Sequence, residues 1–129
     1  MGVYSELEEI VYAALSAINK NTSPSYPPGL FSDSEVKLTT VYEVECSTAV
    51  TIQGVERRVS VMIRADHFAG TRADLNATAD AARAAITALS MRCTTDKTSK
   101  TAGGLYRRSQ SFTCVYDAAE KIIYEGGTR

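Results

Sequence analysis

Between Val36 and Cys46 apolar and polar residues alternate. Val36, Leu38, Thr40, Tyr42, Val44 and Cys46 fall in one phase, and Glu35, Lys37, Thr39, Glu43 and Glu45 in the other. Period two is the period of a pleated strand, so this segment specifies a strand buried on one face and wetted on the other. A half-buried strand needs strands beside it and a second layer over its apolar side. A second run, "VERRVSVMIRA", sets Val59, Val61 and Ile63 in phase, with Gln53-Gly54 the expected turn between the two. Strands this close in sequence pair antiparallel most simply. Phe112, Cys114 and Tyr116 alternate in "LYRRSQSFTCVYD", and Ile122–Tyr124 reads as a short edge strand before a frayed tail at 125–129.

Two segments carry the other period. Leu7, Ile10, Val11, Ala14, Leu15 and Ile18 form one apolar stripe at helical spacing, predicting a helix from about Glu6 to Asn19. Ser5-x-x-Glu8 ahead of it reads as a capping box. In "DHFAGTRADLNATADAARAAITALS", Thr71 or Asp74 can cap a second helix whose Leu75, Ala79, Ala82, Ile86 and Leu89 share a face. Its alanines make it slim enough to approach a sheet closely. Between the first helix and the first strand lies "NKNTSPSYPPGLFSDS", which holds all three prolines; residues 20–34 read as a long loop. The expected architecture is α+β: one domain in the order α-β-β-α-β-β, a mainly antiparallel four-stranded sheet with two helices packed on it.

The 129-residue length is that of one domain. Such a chain buries roughly two-thirds of its unfolded surface and holds a core without disulfide or metal. Cys46 and Cys114 sit in the apolar phase, where a free thiol behaves as a small hydrophobe; no C-x-x-C pair occurs. With one histidine in the chain a zinc site lacks its usual ligands. The opening "MGVYSELEEI" turns acidic at once, the pattern of a protein that stays in the cytoplasm where it is made, and no apolar run approaches the roughly 20 residues of a membrane-spanning helix. No cofactor is expected.

The net charge of −1 hides an asymmetry. Residues 1–45 hold seven acids against two bases, a sum of −5, and residues 57–108 hold ten bases against four acids, a sum of +6. Such a split fits a polyanion site, or an acidic face that meets a basic face on a neighbouring copy. The weak overall charge argues against a dedicated nucleic-acid binder. Glu43 and Glu45 are the acidic candidates for an interface between copies. Two doublets, Arg57-Arg58 and Arg107-Arg108, are the basic candidates, although alternation sends one member of each doublet to each face. Solvated charges that discourage edge pairing are the plainer account of both.

No motif carries catalysis. "SKTAGG" has Lys100-Thr101 ahead of its glycines and a strand behind them, the reverse of a phosphate loop that leads into a helix. His67 beside Asp66 lies after a strand and before a helix, where such a pair usually marks a turn; no nucleophile motif accompanies it. The segment 94–104, "TTDKTSKTAGG", is expected to form a hairpin-like arm that projects from the sheet and is ordered by a partner. Lys97, Lys100, Gly103 and Gly104 would supply its contacts, and deleting 96–102 would leave the fold intact.

The element order, the run "RRVSVMIRADHFAGTRADLNATADAARAAITALS" and the closing "GGLYRRSQSFTCVYD" resemble the tail terminator (tail completion) proteins of long-tailed bacteriophages, whose last long strand has the form YR-x-x-x-x-F-x-x-x-Y/V-D. The resemblance covers residues 5–126 as an architecture. It implies a non-catalytic virion protein that forms a homo-oligomeric ring, typically a hexamer. Made in the host cytoplasm, the ring sits on the head-proximal end of the tail tube and stops its growth. Its implied partners are itself, the tail tube protein and the head-connector or head-closure protein. DNA passes through the ring without sequence-specific binding. Head-closure and minor tail proteins share these strand patterns, and a small polyanion-binding module is the alternative of a different class. The proline-rich loop departs from the family pattern, so no role is carried onto it.

Overall fold

A computed structural model describes residues 3–24, 38–52, 55–101, 104–118 and 120–125. The proline-rich part of the first loop, the Gln53-Gly54 turn, Gly103 and the last four residues lie outside them, as does the side chain of Arg57. The elements run α1 (Val3–Ser16), β1 (Thr22–Ser23), β2 (Thr39–Ile52), β3 (Val55–Ala69), α2 (Arg72–Thr87), β4 (Arg92–Lys100), β5 (Tyr106–Asp117) and β6 (Ile122–Glu125). The class is α+β, as the two sequence periods require.

Among the described residues the sheet has six strands rather than the four expected, in the order β1-β2-β3-β5-β4, with β6 also paired to β5. All pairings are antiparallel except the two-residue parallel match of β1 to Thr40 and Val41. The two additional strands have distinct physical origins. β1 is a brief pairing after α1 and has no hydrophobic signature of its own. β4 is a nine-residue flank strand whose side chains are almost all exposed, so its "RCTTDKTSK" shows no apolar alternation. Only its backbone pairing to β5 defines it. The expectation of a projecting arm at 94–104 is therefore corrected: most of that segment is sheet. Its hairpin character does hold, because a tight turn joins β4 to β5. Thr101 N–H donates to Leu105 O at 2.7 Å and Gly104 N–H to Thr101 O at 3.0 Å. Gly104 adopts φ +87°, a conformation that glycine takes without Cβ strain.

α1 begins at Val3, so Ser5 and Glu8 lie inside the helix and form no capping box. The buried stripe is nevertheless the one read from spacing, with Leu7, Val11 and Leu15 fully covered. α2 starts as expected: Thr71 is extended (φ −129°, ψ 151°) and its Oγ1 accepts from Asp74 N–H at 3.2 Å. Leu75, Ala79, Ala82 and Ile86 are buried, and Leu89 is half-buried against the core. Both helices lie on one face of the sheet and touch each other. Beneath them Val44, Val59, Val61, Ile63, Ala65, Phe112, Cys114 and Tyr116 form a single core. Each large apolar side chain so buried contributes roughly 1.5–3 kcal/mol. The opposite face carries no helix among the described residues.

Candidate interaction surface

Alternation along β5 separates the Arg107-Arg108 doublet as the sequence requires. Arg108 shares the helix-side face with Gln110 and Phe112, and Arg107 shares the other with Ser109 and Ser111. On the helix side Arg108 grips Asp96 of β4 with two hydrogen bonds, Nε to Oδ1 at 2.7 Å and Nη2 to Oδ2 at 2.8 Å. Its Nη1 reaches Asp80 of α2 at 2.8 Å, and Arg83 Nη1 adds a second cation near Asp96 Oδ2 at 3.1 Å. The Arg108 guanidinium holds the Asp96 carboxyl below the usual carboxylate range. Asp96, assigned by sequence to a free arm, is thus the residue that fastens β4 to β5 and α2. A bidentate pair of this kind is among the stronger polar contacts in proteins.

Next to this pair a chain of hydrogen bonds crosses the core from α1 to α2. Asn19 Nδ2 donates to Thr40 Oγ1 at 3.2 Å, and Thr40 Oγ1 stands 2.9 Å from His67 Nδ1. His67 Nε2 stands 2.9 Å from Gln110 Oε1, and Gln110 Nε2 donates to the Ala79 carbonyl at 2.9 Å and to Asp96 Oδ2 at 3.3 Å. The direction of the chain follows from its end. A carbonyl only accepts, so Gln110 must turn its amide nitrogen to Ala79 and its oxygen to His67. His67 Nε2 therefore carries the proton, Nδ1 accepts, and the Thr40 hydroxyl donates to it. Burial pushes the His67 pKa down from its ordinary value, which keeps the ring neutral. His67 is accordingly no turn residue and no exposed base: it is fully buried within β3 with both nitrogens bonded. Sequence spacing gave no sign of this chain, because its five side chains come from five elements or loops far apart in sequence.

The other helix is tied similarly. The Tyr116 hydroxyl donates to Glu6 Oε2 at 2.9 Å, and Lys121 Nζ lies 3.3 Å from Glu6 Oε1. Burial, with Glu6 beside it, pushes the Tyr116 hydroxyl up to about 12. Burial likewise lifts the Cys114 thiol to about 12, the behaviour of an inert core sulfur.

Of the remaining charged candidates, Glu43, Glu45, Arg58, Lys97 and Arg107 lie on the helix-free face, and Lys100 shares the helix-side phase with Tyr106. Glu43 and Glu45 are exposed there, opposite Arg64 and Met62 of β3. The neighbouring Glu45 carboxyl pushes the Glu43 carboxyl up. Arg107 Nη2 bonds Asp66 Oδ2 at 2.8 Å, and its guanidinium stands 5.6 Å from the ring centre of buried Phe68. Arg58 lies 3.9 Å from Asp117 and 5.9 Å from the ring centre of Tyr124. Arg57 is in β3, directly before Arg58. Lys97 is exposed on β4, opposite Ser109, while Lys100 covers the ring of Tyr106 at 5.3 Å. Three of the four arginines proposed from sequence are thus engaged within the chain. Two shallow grooves of about 510 and 540 Å³ run across this face. One is lined by Glu43, Arg64, Arg107 and Ser109, and the other by Glu45, Met62, Arg92 and Thr113. The arrangement offers exposed charges of both signs around an exposed methionine, chemistry suited to another macromolecular surface. No protein-family model and no curated protein matches the chain.

Proposed function

We propose that this chain is a non-catalytic assembly protein of the phage tail-terminator kind. It forms a homo-oligomeric ring, a hexamer in the family it resembles, that caps the head-proximal end of a tail tube and offers its outer side to the head connector. The observation that supports this best is the sheet itself: both helices cover one face, and the other exposes Glu43, Glu45 and Arg64 around Met62, itself 41 % exposed. A ring uses heterologous contacts, in which one patch of each copy meets a different patch of the next. A mixed-charge face on long strands suits that use. His67, the most catalytic-looking residue in sequence, spends both nitrogens on holding the core together. A head-closure or minor tail protein of the same architecture would use the same surface against a different tube end.

Native mass measured across protein concentration and salt tests the reading, with electron microscopy of the protein mixed with tail tubes. A discrete oligomer, or rings seated at one tube end, is the expected result. A chain that stays monomeric at every concentration and leaves tube ends bare overturns it.

A further inference from the structure

Cross-strand register places the charges of the helix-free face in rows. One row reads Glu45, Met62, Thr113, Arg92 from β2 to β4, and the next reads Glu43, Arg64, Ser111, Thr95. A third reads Val41, Asp66, Ser109, Lys97. Residues directly opposite one another share a face, so Glu43, Glu45, Arg92 and Lys97 all project from the same side. The acids stand on β2, just past the point where β1 ends its pairing at Val41, and the bases on β4 at the opposite flank, with Arg64 between them opposite Glu43. Three inter-strand spacings separate the flanks, about 14 Å. That exceeds the Debye length of about 8 Å at physiological salt, so the two flanks do not neutralise each other within one chain.

We propose that the β2 flank of one copy docks against the β4 flank of a second copy, with Glu45 meeting Arg92 and Glu43 lying near Lys97. The proposal rests on the ring-forming reading and names the surfaces that build the ring. Charge decides which flanks meet. Two β2 flanks would bring Glu43 and Glu45 against the same pair, and two β4 flanks would oppose Arg92 and Lys97 to themselves. Only the unlike pairing sets acid against base. It is also heterologous, so repeating it propagates from copy to copy. Direction agrees: β2 and β4 run antiparallel across the sheet, so a copy laid flank to flank in the same orientation continues the row from Arg92 to the next Glu45. The crowding of Glu43 by Glu45 is a further sign, since a cation from a neighbour would relieve it. The basic half of the interface therefore moves from the sequence doublets to Arg92 and Lys97. Arg107 and Arg108 are held by Asp66 and Asp96, and Lys100 by the Tyr106 ring.

Glu45→Arg and Arg92→Glu, alone and together, test the pairing by native mass spectrometry and sedimentation at low salt. Thermal unfolding of each variant serves as the check on folding. Each single reversal is expected to weaken self-association at least about tenfold, and the double reversal to recover most of it. Single variants that assemble like the wild type overturn these surfaces while leaving the ring reading in place. A wild type that assembles neither alone nor on tail tubes overturns both.

Discussion

His67 shows how one buried side chain fixes the behaviour of its surroundings. Thr40 donates to Nδ1 and Gln110 accepts from Nε2, an arrangement that only the neutral ring supports. Its folded pKa is lowered, so near and below the unfolded value of about 6.5 the unfolded chain binds the extra proton first. Stability from this site is complete above pH 6.5 and falls as the pH drops below it, by up to about 1.4 kcal/mol per pH unit. Chemical denaturation of the wild type and of His67→Gln between pH 7.5 and 5 isolates the term, since every carboxylate titrates in both. A steeper loss on the acid side is expected in the wild type than in the variant, and parallel curves would contradict the assignment. In the core, Phe112→Ala removes a fully buried ring between the helices and the sheet and should cost about 3–5 kcal/mol in the same measurement.

Among the elements, β4 differs most from its sequence appearance. Its side chains bury little, so it is held chiefly by the backbone ladder to β5 and by Asp96, which binds Arg108 bidentately and also meets Arg83 and Gln110. Asp96→Ala leaves Arg108 without its bidentate partner while Asp80 still holds one nitrogen. Removing one side of such a pair should cost about 2–3 kcal/mol, below the cost of a fully buried pair because solvent reaches its rim. Hydrogen exchange should show β4 amides opening far more readily in Asp96→Ala while β3 amides stay protected, and unchanged exchange would mean that the ladder alone suffices. Deleting 96–102 removes half of β4 together with Asp96, so it should destabilise the domain instead of sparing it, the reverse of what the sequence suggested. The helices were the more legible elements. The α1 and α2 stripes and the Thr71 cap follow from spacing and local hydrogen bonding, which neighbouring residues suffice to specify.

For the molecule as a whole, the sequence determined the class, the helix faces, the antiparallel pairing of β2 with β3, and the strand phase that splits Arg107 from Arg108. These follow from periods of 3.6 and 2, which bind residues a few positions apart. Tertiary structure decided the rest. It made a strand of a polar segment by pairing its backbone, buried the only histidine, and closed a polar chain from Asn19 to Asp96 through Thr40, His67 and Gln110, side chains from five separate parts of the sequence. It also settled which charges remain outward, which a charge sum cannot tell: Arg107 and Arg108 of the sequence doublets are paired within the fold. A sum counts every charge equally, whereas desolvation and hydrogen bonding spend some of them inside the fold. Arg107 and Arg108 are spent in this way; Glu45 and Arg92 stand exposed at opposite ends of one row, and only register across four strands places them there.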